Sequence, residues 1–393
     1  LRLYCDMNRI NYKLPRIWLG AAHFANDVYT GMLNPIMPCI AAKLGISMAV
    51  ATVVLSISNI TANILQPIFG FFADNIVKRI FVFWGLIFSS IFISLAPASR
   101  DVFTLVLCII FGSLGSSLFH PQALGFAARF ASSDAAKSMG IFIAMGSLGF
   151  SFGPILSAYV AQFWGLNHMP VLCVFGLSIA LLMFKFIPKI PASEAPSMRK
   201  SLIAALSDIL SNRKLQILIL IAILKTLMTT SCSILLPFLW KSMGYTPFFI
   251  GFALFAFIFM GGIGSVLSRS FEKLVGTKNV FYFSMIAPLP MMLLFALTYK
   301  TLPYLSISLY VVMGLFTMMA VPVTMVMAQS VLPQYKSIVG GFINGFSWGV
   351  VAVFMSVIGF VAQAKGIVPV LVVISIIPAV FSTLVKYLFA DKK

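Results

Sequence analysis

Four ionisable residues lie within long stretches of this sequence that otherwise carry no charge: His23, Asp27, His120 and Lys225. Ionisable side chains are costly in apolar surroundings, so they usually face a polar interior and have a function there. His23 and Asp27 are four residues apart, which places them on one face of a helix, about 6 Å apart along its axis. We therefore predict that Asp27 carries a proton and that His23 and His120 take part in proton coupling.

Two structural interpretations compete with proton coupling. Asp27 and Lys225 could form a static ion pair that holds two parts of the chain together, because some buried pairs have only a structural role. His120 precedes Pro121, which cannot donate a backbone hydrogen bond, so the histidine could instead satisfy the backbone group that the proline frees. The residue types alone leave both alternatives open.

The composition shows what must position these residues. Of the 393 residues, 61% are hydrophobic and 9% are charged, and the mean hydropathy is +1.05. A soluble protein of this size needs far more charge on its surface, so the composition excludes a soluble enzyme, a secreted disulfide scaffold and a disordered chain. The five scattered cysteines show no metal or redox spacing.

Long apolar runs predict an all-helical membrane protein. A helix that crosses the hydrocarbon needs about 20 mostly apolar residues. Twelve such spans are predicted at 16–41, 44–73, 80–99, 102–128, two within 138–184, 215–240, 246–268, 279–299, 302–329, 337–363 and 366–385.

The basic residues predict the orientation of these spans. When the connections are assigned alternately to two sides, 21 of the 27 lysines and arginines fall on the side of the N-terminus, five fall on the other side, and Lys225 lies inside a span. Loops rich in Lys and Arg stay in the cytoplasm, so both termini are predicted to be cytoplasmic. The net charge of +18 then reflects membrane topology, and no nucleic-acid partner is expected.

The chain divides into two similar halves. Tyr159 to Gln162 return as Phe360 to Gln363, at an offset of 201 residues. Paired bundles of this kind are a transporter architecture, with the binding site between them near the middle of the membrane. We predict six-helix bundles at 1–187 and 215–393. The cytoplasmic linker 188–214 is predicted to include a short amphipathic helix over 201–211, with a plain tether as the alternative.

Two motifs resemble those of the major facilitator superfamily. Gly70 to Asp74, followed by Lys78 and Arg79, resembles its cytoplasmic loop signature, in which Asp74 would bond to helix ends and lock one conformation. In the fifth span, the residues Gly149, Gly153 and Pro154 resemble its antiporter motif. The alternative for the glycines is simple close packing of helices. These seven residues are predicted to take part in conformational gating.

Three further features, in order along the chain, are Ala22 to Asp27, Gly115 to Pro121 and Lys225. Together they resemble the fosmidomycin-resistance family of facilitator-type efflux proteins. The resemblance implies the major facilitator fold and export across the bacterial inner membrane by exchange with protons. Relatives tend to carry glutamate where this chain has Gln122 and Ser330, so two acids that could carry protons or hold substrate are missing.

The spans that line the cavity in this superfamily carry the candidate substrate residues. We predict substrate contacts from Lys225, Asn26, Tyr29, Gln122, Asn344 and Trp348, with ordinary packing as the alternative for the uncharged ones. One acid against a lysine and two histidines favours an anionic or zwitterionic substrate, such as a phosphonate, a carboxylate or a metal chelator.

The sequence thus predicts a proton-coupled secondary exporter, an antiporter, of a small molecule. The alternative is a proton-coupled anion importer of the same fold. An enzyme is not expected, because lone histidines do not supply clustered nucleophiles or metal ligands. We expect no cofactor, no bound metal and no motif for ATP binding. The predicted partners are the substrate, protons and the lipid bilayer, and a monomer is expected.

Overall fold

The structure is a computed structural model that describes residues 13–66, 68–69, 79–130, 135–187, 202–333 and 336–389. Every regular element in these ranges is a helix. Ten of the helices are long and apolar enough to cross a membrane. The first apolar region is divided into two helices, and Met48–Ile64 is a shorter apolar helix. The protein is therefore a multi-pass membrane protein, while the count of twelve spans stays a prediction.

We group the described helices of the first half into segments numbered 1 to 6. Segment 1 contains helices Lys13–Gly31 and Leu33–Leu44, and segment 2 is Met48–Ile64. Segment 3 is Ile80–Leu95 with the 3₁₀ turn Ala96–Ala98, segment 4 is Val102–Arg129, and segment 5 is Ala135–Phe163. Segment 6 joins the 3₁₀ helix Leu166–Leu172 to Cys173–Phe186.

We group the described helices of the second half into segments numbered 7 to 12. Segment 7 is Arg213–Ser242, segment 8 is Pro247–Val275, and segment 9 contains Thr277–Ile286 and Pro288–Thr298. Segment 10 contains Pro303–Met319 and Val321–Val331. Segment 11 runs through Lys336–Gly341, the π turn Phe342–Phe346 and Ser347–Lys365, and segment 12 through Ile367–Phe381, Ser382–Leu384 and Val385–Leu388.

Prolines explain most of the interruptions within segments. Proline lacks a backbone donor and its ring crowds the carbonyl four residues earlier. The break after Gly31 in segment 1 lies four residues before Pro35. The interruption at Ala287 directly precedes Pro288, and the interruption at Ala320 lies two residues before Pro322. Sequence alone predicted each of these segments as one uninterrupted span.

A short helix, Leu202–Ser211, lies between the two halves in the chain. Ile209 is buried, whereas Leu210 is 64% exposed. The two side chains therefore do not share one buried face. The cytoplasmic location of this helix and the bounds of the two predicted bundles stay predictions.

Within the first half, segments 1 and 5 pack backbone against backbone. A Cβ atom added to Gly149 would lie 2.1 Å from the carbonyl oxygen of Phe24, and one added to Gly153 would lie 2.3 Å from that of Val28. Only glycine permits this approach without displacing the neighbouring helix. Segment 1 is thereby fixed along segment 5, which positions His23 and Asp27.

Among the described residues, the most extensive packing between the halves is that of segment 5 on segment 8 and of segment 2 on segment 11. Segment 1 also packs on segments 7 and 8. A Cβ added to Gly251 would lie 2.5 Å from the carbonyl oxygen of Pro154. Between segments 2 and 11, a Cβ added to Gly359 would lie 2.6 Å from Cβ of Thr52. Both contacts depend on the absence of a Cβ atom at a glycine of the second half.

Two glutamines at equivalent positions of the internal repeat cap helices of the opposite half. Oε1 of Gln162 accepts from the backbone N–H of Phe248, and Oε1 of Gln363 accepts from that of Ala49, each over 2.9 Å. Both donors lie in the first turn of a helix, where N–H groups have no partner within the helix. These contacts join the halves at the far end, defined as the end where segment 1 finishes; the near end is where segment 1 begins.

Candidate functional site

A cavity of about 410 Å³ lies between the two halves of the chain. Segments 1, 2, 4 and 5 line it from the first half, and segments 7, 10 and 11 from the second. Its lining residues come from the middle and the near end of these segments, whereas the glutamine contacts lie at the far end. His23, Asp27, His120 and Lys225 all line this one cavity.

Asp27 lies between two histidines. Its Oδ1 is 3.0 Å from Nε2 of His120, and its Oδ2 is 3.3 Å from Nε2 of His23. Asp27 and His23 share one helical face of segment 1, while His120 comes from segment 4. The three groups form a triad that joins two segments at the cavity wall.

The backbone orients both imidazole rings of the triad. Nδ1 of His23 lies 2.8 Å from the carbonyl oxygen of Phe142, and Nδ1 of His120 lies 2.9 Å from that of Ser116. A carbonyl oxygen can only accept a hydrogen bond, so Nδ1 of each ring carries a hydrogen. In a neutral ring, Nε2 would then be an acceptor that faces an acceptor oxygen of Asp27. The 3.0 Å contact with His120 therefore requires a proton, and a second proton would favour the contact with His23.

Gly146 makes room for the triad. A Cβ added to this glycine would lie 2.4 Å from Cε1 of His23 and 2.7 Å from Oδ2 of Asp27. Gly146 was not among the predicted site residues, although it lies three residues before Gly149 and seven before Gly153, on the same helical face of segment 5. That spacing was the signal that could have revealed it.

Lys225 stands apart from the triad. It is 4% exposed, and its Nζ has no hydrogen-bond partner among the described residues. Within the described part of the chain, Asp27 pairs with the two histidines and not with Lys225. A static ion pair between Asp27 and Lys225 is therefore not what the structure contains. An unpaired buried cation is costly, so Lys225 is a site where an anion would be stabilised.

The second structural alternative is also not observed. Pro121 has no N–H group, which leaves the carbonyl of Ser117 without its donor in the helix. The ring of His120 contacts the carbonyl of Ser116 instead, and its other nitrogen contacts Asp27. His120 is therefore directed to the triad and does not satisfy the group freed by Pro121.

The sequence model described as Major Facilitator Superfamily matches residues 19–356. The chain belongs to the major facilitator superfamily. The predicted fold class and family resemblance are thus confirmed. The family points to a transporter rather than an enzyme.

Relatives and a solved structure agree with this assignment. The fosmidomycin resistance protein of Escherichia coli (strain K12) is 22% identical over 353 residues, which cover 89% of this chain and 86% of the relative. The uncharacterized MFS-type transporter YfnC of Bacillus subtilis (strain 168) is 23% identical over 395 residues, covering 96% and 93%. The crystal structure of the nucleoside transporter NupG matches with a TM-score of 0.75 at 16% identity, over 98% of this chain and 100% of that chain. At that identity the match shows the fold.

The structure separates the residues that were predicted to contact substrate. Lys225, Asn344 and Trp348 line the cavity of this facilitator. The hydroxyl of Tyr29 donates to the carbonyl of Leu172 and accepts from the N–H of Gly176, so it joins segment 1 to segment 6. Tyr29 is 1% exposed and does not line the cavity, which corrects its placement as a substrate contact.

Two further candidates, Gln122 and Asn26, form hydrogen bonds to neighbouring segments. Oε1 of Gln122 accepts from the N–H of Val82 over 2.9 Å, which joins segment 4 to segment 3. Asn26 is fully buried; its side-chain nitrogen lies 3.1 Å from Oδ1 of Asp27, and its oxygen accepts from the hydroxyl of Ser89. Asn26 therefore links Asp27 of the triad to Ser89 of segment 3. Neither Gln122 nor Asn26 lines the cavity.

The gating motif falls partly outside the described residues. Gly70, Asp74 and Lys78 lie outside them. Arg79 is described: its guanidinium lies 4.4 Å above the ring of Phe184 and donates to the carbonyl of Ile187. It thus joins the start of segment 3 to the end of segment 6.

Side-chain amides on segment 2 and just after its end line the cavity and were not predicted as substrate contacts. Asn59, Asn63 and Gln66 follow each other at intervals of four and three residues, so they share one helical face. The helical spacing of three amides in an apolar span could have predicted that they line the cavity, because polar groups in such spans usually face the interior.

The triad also has the donor types of a metal site. One nitrogen or oxygen from each of His23, Asp27 and His120 lies within 4.8 Å of the others. Lys225 lines the same cavity as the triad. Among His23, Asp27, His120 and Lys225, only Asp27 is a carboxylate. A positive charge balance opposes the binding of a dication.

Proposed function

We propose that the chain is a proton-coupled secondary exporter, an antiporter, of a small anionic or zwitterionic molecule. The observation that carries this proposal is the placement of Asp27 between two histidines at the wall of the cavity between the halves. Such a group can bind and release protons as the cavity opens to either side of the membrane. Lys225, Asn344 and Trp348 are the proposed substrate contacts.

The triad offers a structural link between protonation and conformation. A proton bound between Asp27 and His120 ties segment 1 to segment 4, since it converts two facing acceptors into a hydrogen bond. Release of that proton leaves two lone pairs in contact and favours separation of the segments. The proton state of the triad and the shape of the cavity are thereby coupled.

The gating and topology proposals complete this account. We place both termini in the cytoplasm and the monomeric protein in the bacterial inner membrane. The loop with Gly70, Asp74, Lys78 and Arg79 is proposed to lock one conformation, and the glycine-rich face ending at Pro154 to guide movement of segment 5. The residues Gly149 and Gly153 support that role, because their close backbone contacts would make segment 1 follow segment 5 when segment 5 moves.

One observation favours the second candidate, an anion importer. A protonated triad and Lys225 would both attract an anion into the same cavity, which would move protons and anion together. Export by exchange requires that substrate and protons exclude each other. The names of relatives, among them a fosmidomycin resistance protein, support export.

The direction of accumulation in proteoliposomes separates the two functions. Vesicles are prepared with an acidic or an alkaline interior and offered a panel of radiolabelled carboxylates, phosphonates and zwitterions. An antiporter accumulates substrate in acidic vesicles and a symporter in alkaline ones, whichever way the protein is inserted. Equal uptake into acidic and alkaline vesicles would overturn proton coupling. The variant Asp27→Asn serves as the comparison that is expected to be uncoupled from protons.

A further inference from the structure

Five of the seven serine and threonine hydroxyl groups that line the cavity have already used their hydrogens. Thr30, Ser147, Thr229, Thr317 and Thr324 each donate to a carbonyl three or four residues earlier in their own helix, over 2.7 to 3.2 Å. A hydroxyl has one hydrogen and two lone pairs. In this arrangement the five groups can offer only lone pairs to a bound molecule.

The amides on segment 2 and just after its end follow the same pattern. The side-chain nitrogens of Asn59, Asn63 and Gln66 donate to the carbonyls of Leu55, Asn59 and Ala62, over 2.8 to 2.9 Å. Each amide then keeps one N–H and a carbonyl oxygen with two lone pairs. Together with the hydroxyls, these amides make the neutral polar wall of the cavity richer in acceptors than in donors.

Lys225 is the cationic donor on this wall. Its buried ammonium offers three hydrogens and has no acceptor among the described residues. An anionic group of the ligand would satisfy it. The cavity thus combines one strong cationic donor with an extended set of neutral acceptors.

We infer that the cavity recognises a donor-rich anion: a small molecule with one carboxylate, phosphate or phosphonate group and several O–H or N–H groups. The anionic group pairs with Lys225, and the O–H or N–H groups donate to the hydroxyl and amide oxygens. A molecule that carries acceptors alone would place lone pair against lone pair and lose its hydrogen bonds to water without replacement. This inference rests on the proposed function only in taking the cavity as the substrate site.

The test uses three six-carbon acids and the purified full-length protein in lipid nanodiscs. All three compounds keep a free carboxylate. D-gluconate also has five hydroxyl groups, and methylation of these hydroxyls keeps their oxygen acceptors but removes the O–H donors. Hexanoate has neither hydroxyl donors nor hydroxyl oxygen acceptors. Isothermal titration calorimetry at one pH measures each affinity without a proton gradient. We expect gluconate to bind at least about tenfold more tightly than the other two, the ratio that one or two neutral hydrogen bonds supply.

Variants identify the groups responsible. Thr229→Val keeps the shape of the side chain and removes its oxygen, so it should weaken gluconate binding by about three- to tenfold and leave hexanoate unchanged. Thr298→Val is the matched control, because Thr298 also donates within its own helix but does not line the cavity. Lys225→Ala should weaken gluconate and hexanoate by a similar factor, since both carry the anion.

The possible results are decisive in both directions. Equal affinity for gluconate and its O-methylated form, stronger binding of hexanoate, or no binding of gluconate would each overturn the inference. The expected order of affinities would support it even if uphill transport failed to respond to pH gradients, in which case the proposed coupling alone would be wrong.

Discussion

Nε2 of His120 lies 3.0 Å from Oδ1 of Asp27, although the two residues are 93 positions apart and belong to different segments. This contact makes His120 the closer of the two histidines to the carboxylate. It also makes the triad sensitive to the relative position of segments 1 and 4.

His120→Gln should impair proton-driven transport. Loss of a charge-assisted hydrogen bond of about 1.5–3 kcal/mol predicts a roughly ten- to hundredfold lower rate of uphill transport. Rates are measured in proteoliposomes at equal protein content. His168→Gln is the control, because His168 is exposed and lies outside the cavity. Equal loss in both variants would show that the effect is not specific to the triad.

Gly146→Ala should displace the ring of His23. The added methyl group would overlap the ring, and overpacking of this kind costs about 1–3 kcal/mol. We expect a lower melting temperature and slower uphill transport. Gly140→Ala is the matched control in the same helix, since a Cβ there meets nothing within 4 Å. A variant at Gly146 with normal stability and transport would contradict the close packing.

Removing both glutamine contacts should open the far end. The double variant Gln162→Ala/Gln363→Ala removes two hydrogen bonds worth about 0.5–1.5 kcal/mol each. The equilibrium between conformations closed and open at the far end should therefore shift toward the open one by roughly five- to a hundredfold. Spin labels at Ala42 and Lys241 of a cysteine-free protein report the distance between the halves there, and we expect it to lengthen. Gln216→Ala, an exposed site within the second half, should leave it unchanged. Unaltered distances in the double variant would contradict the view that the two glutamine contacts hold the far end closed.

Asp101 should stabilise the start of segment 4 in a pH-dependent way. Its carboxylate accepts from the N–H and the hydroxyl of Thr104, and these bonds hold the pKa of Asp101 below its ordinary value. The lower pKa in the folded state means that the contribution is present above the ordinary pKa and is lost as the pH falls. Asp101→Ala should therefore melt at a lower temperature at pH 7, with a difference that shrinks below about pH 4.

Asp208→Ala is the control for the pH experiment, since Asp208 is an exposed acid on the short helix between the halves. A melting difference for Asp101→Ala that grew on acidification would contradict the assigned sign. So would equal pH-dependent effects in the two variants.

Sequence could predict much of this fold because membrane helices are encoded locally. Apolar length sets the segments, and the spacing of His23 and Asp27 sets their shared face. The interruption at Ala320 was missed because apolar length does not show where a proline will divide a span into two helices.

The site was harder to predict because its contacts depend on how segments lie against each other. Asp27 could have met Lys225 or His120, and only the packing of segment 1 on its neighbours selects the histidine. Tyr29 and Gln122 looked like substrate contacts because a polar side chain in an apolar helix can serve a ligand or another helix equally well. Their bonds to backbone groups of neighbouring segments show the second use.

The central claim, that Asp27 carries the coupled proton, is tested most directly by comparing two modes of transport in Asp27→Asn. Uphill transport against a pH gradient and counterflow between equal substrate concentrations are measured at matched protein content, with Asp208→Asn as the control. A neutral side chain cannot exchange a proton, so we predict that Asp27→Asn loses uphill transport and keeps counterflow, while the control keeps both. Full uphill, proton-driven transport by Asp27→Asn would contradict the account.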